Sequence, residues 1–348
     1  MTYSIIQADL KEHREAILGL WERNFQDMPE ERYSWIYEGN PAGSAACCIA
    51  RDPETGSVIG AASLFPRRIL VNGKCFIAGI AGDFAIDRKH RGFGPAASLQ
   101  KMALSFCASR KFDILYGFPS KQAVPVTSRA GCKMLGEIFT LTKPLRSHYH
   151  LKKYHSMPLL AKMIAKPVDI IMEYSSMEKY SGRIHENSFE ILPSFDRRFD
   201  DLWEKASVHF PIIGERSSAY LLWRFTRSPH RKYAVFTLVQ DNGDMSGYIV
   251  FSTSENKTVI VDLLSLDLQA TLSALLSGFI TFQRKEGIDS ISISFTGNRY
   301  FLKKLKRYGF FLRSKEGRVI IYLPPDSPHL SFLLDKKNWY LLPGDNDI

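Results

Sequence analysis

The chain repeats one pattern of residues, and this repeat limits its fold more than any other feature. Residues 35–41 contain a Trp, an aromatic residue and a Pro, and residues 223–229 contain the same three residue types at identical spacing. Further on, residues 82–87 are echoed by residues 261–267, and a helix-period segment and a strand follow both. Because the echoes come in the same order, the sequence predicts two homologous domains.

Each half of the chain reads as helix, strand hairpin, strand, helix, strand, helix and strand. Turn-forming residues 52–56 and 241–244 separate the strands of the two hairpins. This order predicts an α/β (α+β layered) protein with two tandem domains, each a mixed, mostly antiparallel sheet flanked by helices. We place the first domain at residues 1–145, a basic connector at residues 146–195 and the second domain at residues 196–348.

The composition is that of a soluble globular protein. The chain has 348 residues, of which 45% are apolar and 24% charged. No apolar run approaches the roughly 20 residues that span a bilayer. The N-terminus lacks the basic stretch and the following apolar stretch of a signal peptide, so we expect a cytoplasmic location.

The five cysteines are odd in number and show no CxxC spacing, so neither a disulfide framework nor a zinc site is expected.

The formal net charge is +10, which suits a nucleic acid, an anionic membrane surface or an anionic small ligand. Residues 141–170 carry six Lys or Arg against the single Asp169. Because this excess of positive charge is local, it is easier to explain by a small ligand than by a duplex-binding face, and no DNA partner is expected.

Within the connector, His148, His150 and His155 lack metal-site spacing, and no metal is expected. We interpret the connector as an interdomain helix, the alternative being peripheral membrane contact.

A short Gly-rich turn between a strand and a helix is the sharpest local signal. The strand ends near Asp87 and an amphipathic helix begins around Pro95, a residue suited to the first helical position. Gly92 and Gly94 let the backbone turn sharply and approach a ligand closely. The start of the helix presents unsatisfied N–H groups and the positive end of its dipole. With four basic residues at positions 88–91, the turn is predicted to hold an anion.

The motif Arg91-x-x-Gly94-x-Ala96 resembles the Arg/Gln-x-x-Gly-x-Gly/Ala signature of the GNAT superfamily of acyl-CoA N-acyltransferases. The resemblance implies acetyl-CoA or another acyl-CoA as co-substrate, with its pyrophosphate on the turn and its pantetheine arm between two splayed strands. Pro95 is a departure because it offers no N–H. The cofactor-binding residues implied by the resemblance are Phe84, Ala85, Ile86, Arg91, Gly92, Phe93, Gly94, Ala96 and Ala97.

The resemblance also implies direct attack of an amine on the thioester carbonyl, which needs a base and an acid. Asp83 is the candidate base; because Asp262 recurs in the second half, a structural or substrate-orienting role is the alternative. Many family members carry a tyrosine acid where this chain has Thr127. Tyr116 is the candidate substitute, and a core or cleft-wall tyrosine is the other interpretation.

The second half resembles the family only in layout. Residues 266–272, which correspond to the turn, contain no glycine and no basic residue, and Asp267 would repel a phosphate. We therefore expect this half to shape the acceptor cleft or to stabilise the first half.

The tandem arrangement resembles bacterial GNAT proteins of cell-surface polysaccharide or envelope synthesis. The predicted function is acyl transfer from acyl-CoA to a small amine-bearing acceptor: an amino sugar, a sugar-nucleotide or an amino acid. One alternative is an aminoacyl or long-chain acyl transferase whose donor is tRNA or an acyl carrier protein. Another is a non-catalytic binding module with the same fold. The sequence leaves the oligomeric state open.

Overall fold

The computed structural model describes residues 3–91, 94–109, 111–147, 177–179, 189–324, 327 and 330–346. Most of the predicted connector, including His148, His150 and His155, therefore lies outside the described residues. The elements of the first half are β1 (Ser4–Gln7), α1 (Arg14–Asn24), α2 (Glu31–Tyr33), β2 (Ala46–Arg51), β3 (Val58–Val71), β4 (Lys74–Ile86), α3 (Pro95–Ala108), β5 (Ile114–Gly117), α4 (Val124–Ala130) and β6 (Lys133–Pro144).

The second half repeats this order, with one short strand inserted after its first helix and further short elements at its end. Its elements are β7 (Phe189–Leu192), α5 (Arg197–Ser207), β8 (Ile212–Gly214), α6 (Ser218–Leu221), β9 (Ala234–Val239), β10 (Met245–Ser254), β11 (Lys257–Ser265), α7 (Ala270–Lys285), β12 (Ser290–Gly297), α8 (Arg299–Arg307), β13 (Phe311–Tyr322), α9 (Leu330–Leu334) and β14 (Trp339–Leu341). Within the described ranges, no helix is long and apolar enough to cross a bilayer.

The two halves form one continuous sheet because they exchange their last long strands. The strand order is β1-β2-β3-β4-β5-β13-β6-β12-β11-β10-β9-β7. Strand β13 of the second half lies between β5 and β6, and β6 of the first half pairs with β12. Among the described strands, only β4–β5, β11–β12 and β8–β14 pair in parallel. The prediction of a mixed, mostly antiparallel sheet is thus confirmed, whereas the domain boundaries stay a prediction.

Short strands near the C-terminus close part of this sheet into a ring. Strand β14 pairs with both β12 and β8, and β8 pairs with the end of β3. One cluster of buried apolar side chains draws on both halves, and a second cluster lies between β2–β5 and α3. The two halves therefore share a core, while α3 covers the opposite face of the first half.

The repeated Trp motif lies at the centre of the shared core. Both copies, Ser34–Glu38 and Leu222–Thr226, form a turn of π-helix, a rare conformation. The rings of Trp35 and Trp223 stack with centroids 5.0 Å apart. Each indole N–H donates to the backbone carbonyl of the other tryptophan, at 2.8 and 2.9 Å. This reciprocal contact gives the two halves an approximate two-fold relation.

Arg67, Arg216, Asp262 and Asp345 form a buried network of ion pairs that links distant segments. Arg67 of β3 pairs with Asp345 at 2.8 Å, and Arg216 pairs with both Asp345 and Asp262, at 2.8 and 2.9 Å. Although desolvation opposes it, Arg216 and Arg67 hold the pKa of Asp345 below its usual value. Two cations balance two anions, so the C-terminal segment is fixed by a charge-neutral network.

Replacing Trp223 with phenylalanine tests the reciprocal contact. Trp223→Phe keeps an aromatic ring but removes the N–H donor of a buried carbonyl, so we expect a loss of about 1–3 kcal/mol in the free energy of unfolding. Urea denaturation measures this loss in the free energy of unfolding. Trp203→Phe is the matched control, because Trp203 is only half-buried and its indole N–H makes no hydrogen bond within the described ranges. Equal losses in the two variants would contradict the role of the contact.

Candidate functional site

Strand β4 contains a bulge at the residue that the sequence singles out. The register with β3 steps from Ala61 opposite Ala85 to Ser63 opposite Gly82, so β4 has one extra residue here. Asp83 has φ +47°, in the left-handed region that non-glycine residues seldom adopt. A bulge of this kind bends the strand and reorients its side chains and peptide groups.

Strands β4 and β5 part at this bulge. Their parallel pairing runs from Ala78 opposite Ile114 to Ala81 opposite Gly117 and ends there, while β4 continues to Ile86. A cavity of 270 Å³ opens beyond the last pair. Its lining comes from Phe25, from β3, β4, α3 and α4, from the end of β5 and the residues after it, and from Ile320 of the exchanged strand β13. The splayed strands predicted from the resemblance are therefore present, and the second half contributes to their cavity.

Gly117 allows the two strands to approach closely just before they separate. A Cβ at this position would lie 2.9 Å from the Cβ of Ala81 and 3.1 Å from its carbonyl oxygen. Neither is the end of a flexible side chain, so a larger residue would push β5 away from β4.

The Gly-rich turn leads into α3 beside this cavity. Gly94 has φ +98° and caps α3, whose first residue is Pro95. Gly92 and Phe93 lie outside the described residues. Ala96 and Ala97 occupy the first turn of α3, where backbone N–H groups have no intrahelical acceptor.

Arg91 folds back from the turn onto β4 and α1. Its Nε donates to the carbonyl of Ile86 at 2.8 Å, and one terminal nitrogen donates to Oδ1 of Asn24 at 3.0 Å. Asn24 in turn donates to Asp87 at 2.8 Å. Arg91 thus joins the end of β4 to the end of α1, and this contact positions the turn.

Asp83 lines the cavity and is held by two buried side chains. Its Oδ2 accepts hydrogen bonds from Arg32 at 2.6 Å and from the Tyr37 hydroxyl at 3.0 Å. Tyr37 also contacts Oγ of Ser63 at 2.7 Å, and burial raises its pKa well above the usual value. The side chains of Arg32 and Asp83 are only 3% and 4% exposed. Ser63 joins Asp83 in the lining.

Arg32, Tyr37 and Ser63 were not predicted as site residues. Tyr37 is the aromatic residue of the repeated Trp motif, and the recurrence of an aromatic there was the one available signal. The motif therefore serves both the contact between the halves, through Trp35, and the site, through Tyr37.

Tyr116 lies in the core and not among the residues that line the cavity. It is fully buried, and its hydroxyl donates to the carbonyl of Asp345 at 3.0 Å. Burial raises its pKa above the usual value. Thr127 does line the cavity, and its hydroxyl donates to the carbonyl of Val124 at 3.0 Å. An acid role for Tyr116 stays a prediction, and these contacts favour the alternative of a core tyrosine.

An acidic groove adjoins the cavity at Phe25, which lines both. The groove has a volume of 440 Å³ and runs along α1. The indole Nε1 of Trp21, another lining residue, is buried and has no hydrogen-bond partner in the described part of the chain. Four acidic residues contribute to its lining: Glu15, Glu22, Asp27 and Glu30.

The corresponding place in the second half is filled by the chain itself. Strand β14 pairs with the end of β12, and a Cβ on Gly297 would lie 2.0 Å from the carbonyl oxygen of Trp339. The start of α7 is occupied by the carboxylate of Asp267, which accepts hydrogen bonds from the N–H groups of Gln269, Ala270 and Thr271. A phosphate would meet a carboxylate there instead of free N–H groups.

Comparison with known proteins assigns this architecture. Residues 5–135 match the family model of the acetyltransferase (GNAT) domain. Among curated proteins, none matches the chain.

Several solved structures share the fold across nearly the whole chain. A probable N-acyltransferase from Enterococcus faecalis is 15% identical with a TM-score of 0.67, covering 93% of this chain and 73% of that one. A GCN5-related N-acetyltransferase from Anabaena variabilis is 16% identical with a TM-score of 0.62, covering 92% and 73%. The N-myristoyltransferase of Saccharomyces cerevisiae, solved with bound myristoyl-CoA, is 13% identical with a TM-score of 0.55, covering 92% and 78%.

Residues 5–135 are thus similar to the GNAT acetyltransferase domain, and the chain as a whole shares its overall fold with these solved structures. At these identities the structural neighbours define the fold alone.

Enlarging Gly117 tests the close approach of β4 and β5. We expect Gly117→Ala to lower the free energy of unfolding by about 1–3 kcal/mol, because the new methyl group overlaps Ala81. Gly19→Ala is the control, since Gly19 lies inside α1 and its Cβ would approach only the flexible end of Arg23. That control should be neutral or stabilising. Denaturant unfolding of both variants measures the free energy of unfolding. An unchanged free energy in Gly117→Ala would refute the close approach of β4 and β5.

Proposed function

We propose that the protein is an acyl-CoA-dependent N-acyltransferase that moves an acyl group from a CoA thioester to an amine. The observation that carries the proposal is the parting of β4 and β5 at the Asp83 bulge, beside the Gly94 cap of α3. Parted strands expose backbone groups that a ligand can pair with, and the start of α3 provides a place for a phosphate.

In the proposed complex, the CoA pyrophosphate lies at the start of α3. N–H groups of Gly94, Ala96 and Ala97 are available to it, and the helix dipole favours its negative charge. The basic residues at positions 88–91 add positive charge. The pantetheine arm follows Phe84, Ala85 and Ile86 of β4, and the thioester reaches the cavity.

The proposed reaction is direct transfer without an acyl-enzyme. The amine nitrogen attacks the thioester carbonyl, the new C–N bond forms and the C–S bond breaks. Backbone N–H groups at the bulge in β4 stabilise the developing oxyanion. Asp83 accepts a proton from the ammonium, directly or through water, so that the neutral amine attacks, and the nitrogen loses a second proton to solvent as the tetrahedral intermediate collapses. The thiolate of CoA leaves and takes a proton from solvent, since neither Thr127 nor Tyr116 has a free hydroxyl proton aimed at the cavity.

The acidic groove supports an amine-bearing acceptor. An amine carries a positive charge at neutral pH, and Glu22 and Asp27, which form no ion pair within the described residues, attract it, whereas Glu15 and Glu30 pair with Arg14. Phe25 joins the groove to the cavity, so an acceptor held there lies next to the proposed thioester position. Amino sugars, sugar-nucleotides with a free amine and amino acids all satisfy this requirement.

Two measurements test the proposal as a whole. Calorimetry with acetyl-CoA and with a long-chain acyl-CoA shows whether a donor binds and which acyl length is preferred. Release of CoA in the presence of a panel of amines shows turnover. Donor binding with no release for any acceptor would favour a non-catalytic module, and transfer from acylated tRNA or acyl carrier protein alone would favour the other class of donor.

A glycine in the left-handed backbone conformation at the start of α3 should be required for donor binding. Replacing Gly94 with alanine forces a side chain onto φ +98° and distorts the N–H groups of the turn. We expect Gly94→Ala to weaken acetyl-CoA binding by about tenfold or more, measured by calorimetry. Gly73→Ala is a matched control, because Gly73 has φ +76° and, like Gly94, no described atom near its Cβ, but lies in the β3–β4 turn. Equal losses of binding would argue against this placement of CoA.

A comparison of Asp83 with Asp262, its counterpart in the second half, distinguishes a catalytic role of Asp83 from a structural one. Both carboxylates are buried and held by an Arg and a Tyr, but Asp83 alone of the two lines the cavity. We expect Asp83→Asn to lower kcat by about 100-fold or more at nearly unchanged donor affinity. Asp262→Asn should lower stability and leave kcat of the folded protein intact. Parallel effects of both variants would make Asp83 a structural residue.

A further inference from the structure

We propose that a second cavity, in the other half of the molecule, binds a small anion with two linked phosphate groups. This basic cavity has a volume of 330 Å³. The proposal is independent of the acyltransferase function, because no element of the Gly-rich turn takes part. Six cationic side chains line the cavity: Arg299, Lys303, Lys306, Lys315, Lys336 and Lys337.

Acidic side chains do not compensate these six charges. None of the residues lining the basic cavity is Asp or Glu, and within the described ranges none of the six cations forms an ion pair. The adjacent Asp335 accepts a hydrogen bond from the backbone N–H of Lys337 at 3.0 Å. Like charges on a concave surface repel each other and produce a concentrated positive potential. A bound anion is attracted by this potential and reduces the repulsion between the cations.

The strand exchange builds the basic cavity from both halves. Phe139 comes from β6 of the first half, and the Nζ atoms of Lys315 and Lys336 lie 5.7 and 6.0 Å from its ring centroid. Lys303 and Lys306 project from the same face of α8, three residues apart. Phe139 and Leu302 give the cavity an apolar part against which a ligand can pack.

The basic cavity is a separate place from the cavity at β4. Met134 of β6 pairs with Ile320, which lines the cavity at β4, and Phe139 stands five residues further along the same strand. At about 3.3 Å per strand residue, the two places are roughly 16 Å apart.

Charge and size together indicate the class of ligand. A phosphate monoester carries about −1.5 to −2 at neutral pH, so six cations exceed what one phosphate needs. A volume of 330 Å³ lies at the lower end of the range for small-molecule sites, about 300–1,000 Å³. A diphosphate such as that of a nucleoside diphosphate satisfies both, and lysines suit it because they act as mobile point charges.

Calorimetry with inorganic pyrophosphate, ADP and orthophosphate on the full chain tests the proposal. We expect pyrophosphate and ADP to bind, and the double variant Lys303→Glu/Lys306→Glu to weaken both by about tenfold or more. Lys232→Glu is the control, an equal type of charge reversal at an exposed lysine of the same half. It should leave binding within about twofold of the unaltered protein. Thermal unfolding confirms that the variants are folded, and Lys315→Gln is the milder substitute if the double variant is not.

Three results would overturn the proposal. The first is absence of pyrophosphate binding, and the second is an equal loss in Lys232→Glu, which marks a general charge effect. The third is orthophosphate binding as tight as that of pyrophosphate, which marks a single-phosphate site. If anionic vesicles or RNA bind through Lys303 and Lys306 while pyrophosphate and ADP do not, a macromolecular surface replaces the proposed small-molecule site.

Discussion

The exchange of β6 and β13 is the constraint on which the rest of the structure depends. Strand β5 would present an unpaired edge without β13, and β12 would do so without β6. Each half therefore completes its sheet with a strand of the other. The same exchange brings Ile320 into the cavity at β4 and Phe139 into the basic cavity. Both concave surfaces are thus products of the whole chain, although each lies mainly in one half.

Part of this architecture follows from local patterns, and the sequence predicts that part well. The Trp repeat and the hairpin turns depend on short-range chemistry, so the fold class and the order of the longer elements were predicted correctly, whereas the short strands β1, β7, β8 and β14 were not predicted. The exchange could not be predicted, because β6 and β13 present the same hydrogen-bonding groups to either sheet. Pairing within a half or across the halves satisfies the backbone equally, and the choice depends on the contacts of the whole core.

The same distinction holds for the site. The turn at Gly94 and Pro95 could be predicted from the sequence because glycine and proline determine the conformation of their own backbone. The partners of Asp83 could not be predicted, since Arg32 lies 51 residues away in the chain and reaches the carboxylate only when the chain has folded. Asp83 itself was identified, but its left-handed conformation arises from the register between β3 and β4. That register is a property of two strands together.

The two halves show how one layout yields one open cavity and one closed counterpart. In the first half, β4 and β5 separate beyond Gly117 and the start of α3 carries no side-chain cap, so backbone groups remain available to a ligand. In the second half, Asp267 caps α7 and β14 pairs with the end of β12, so the chain satisfies those groups internally. A helix start that its own carboxylate has filled gains stability and loses affinity for phosphate. The second half instead gathers six cationic side chains at a different surface, in the basic cavity.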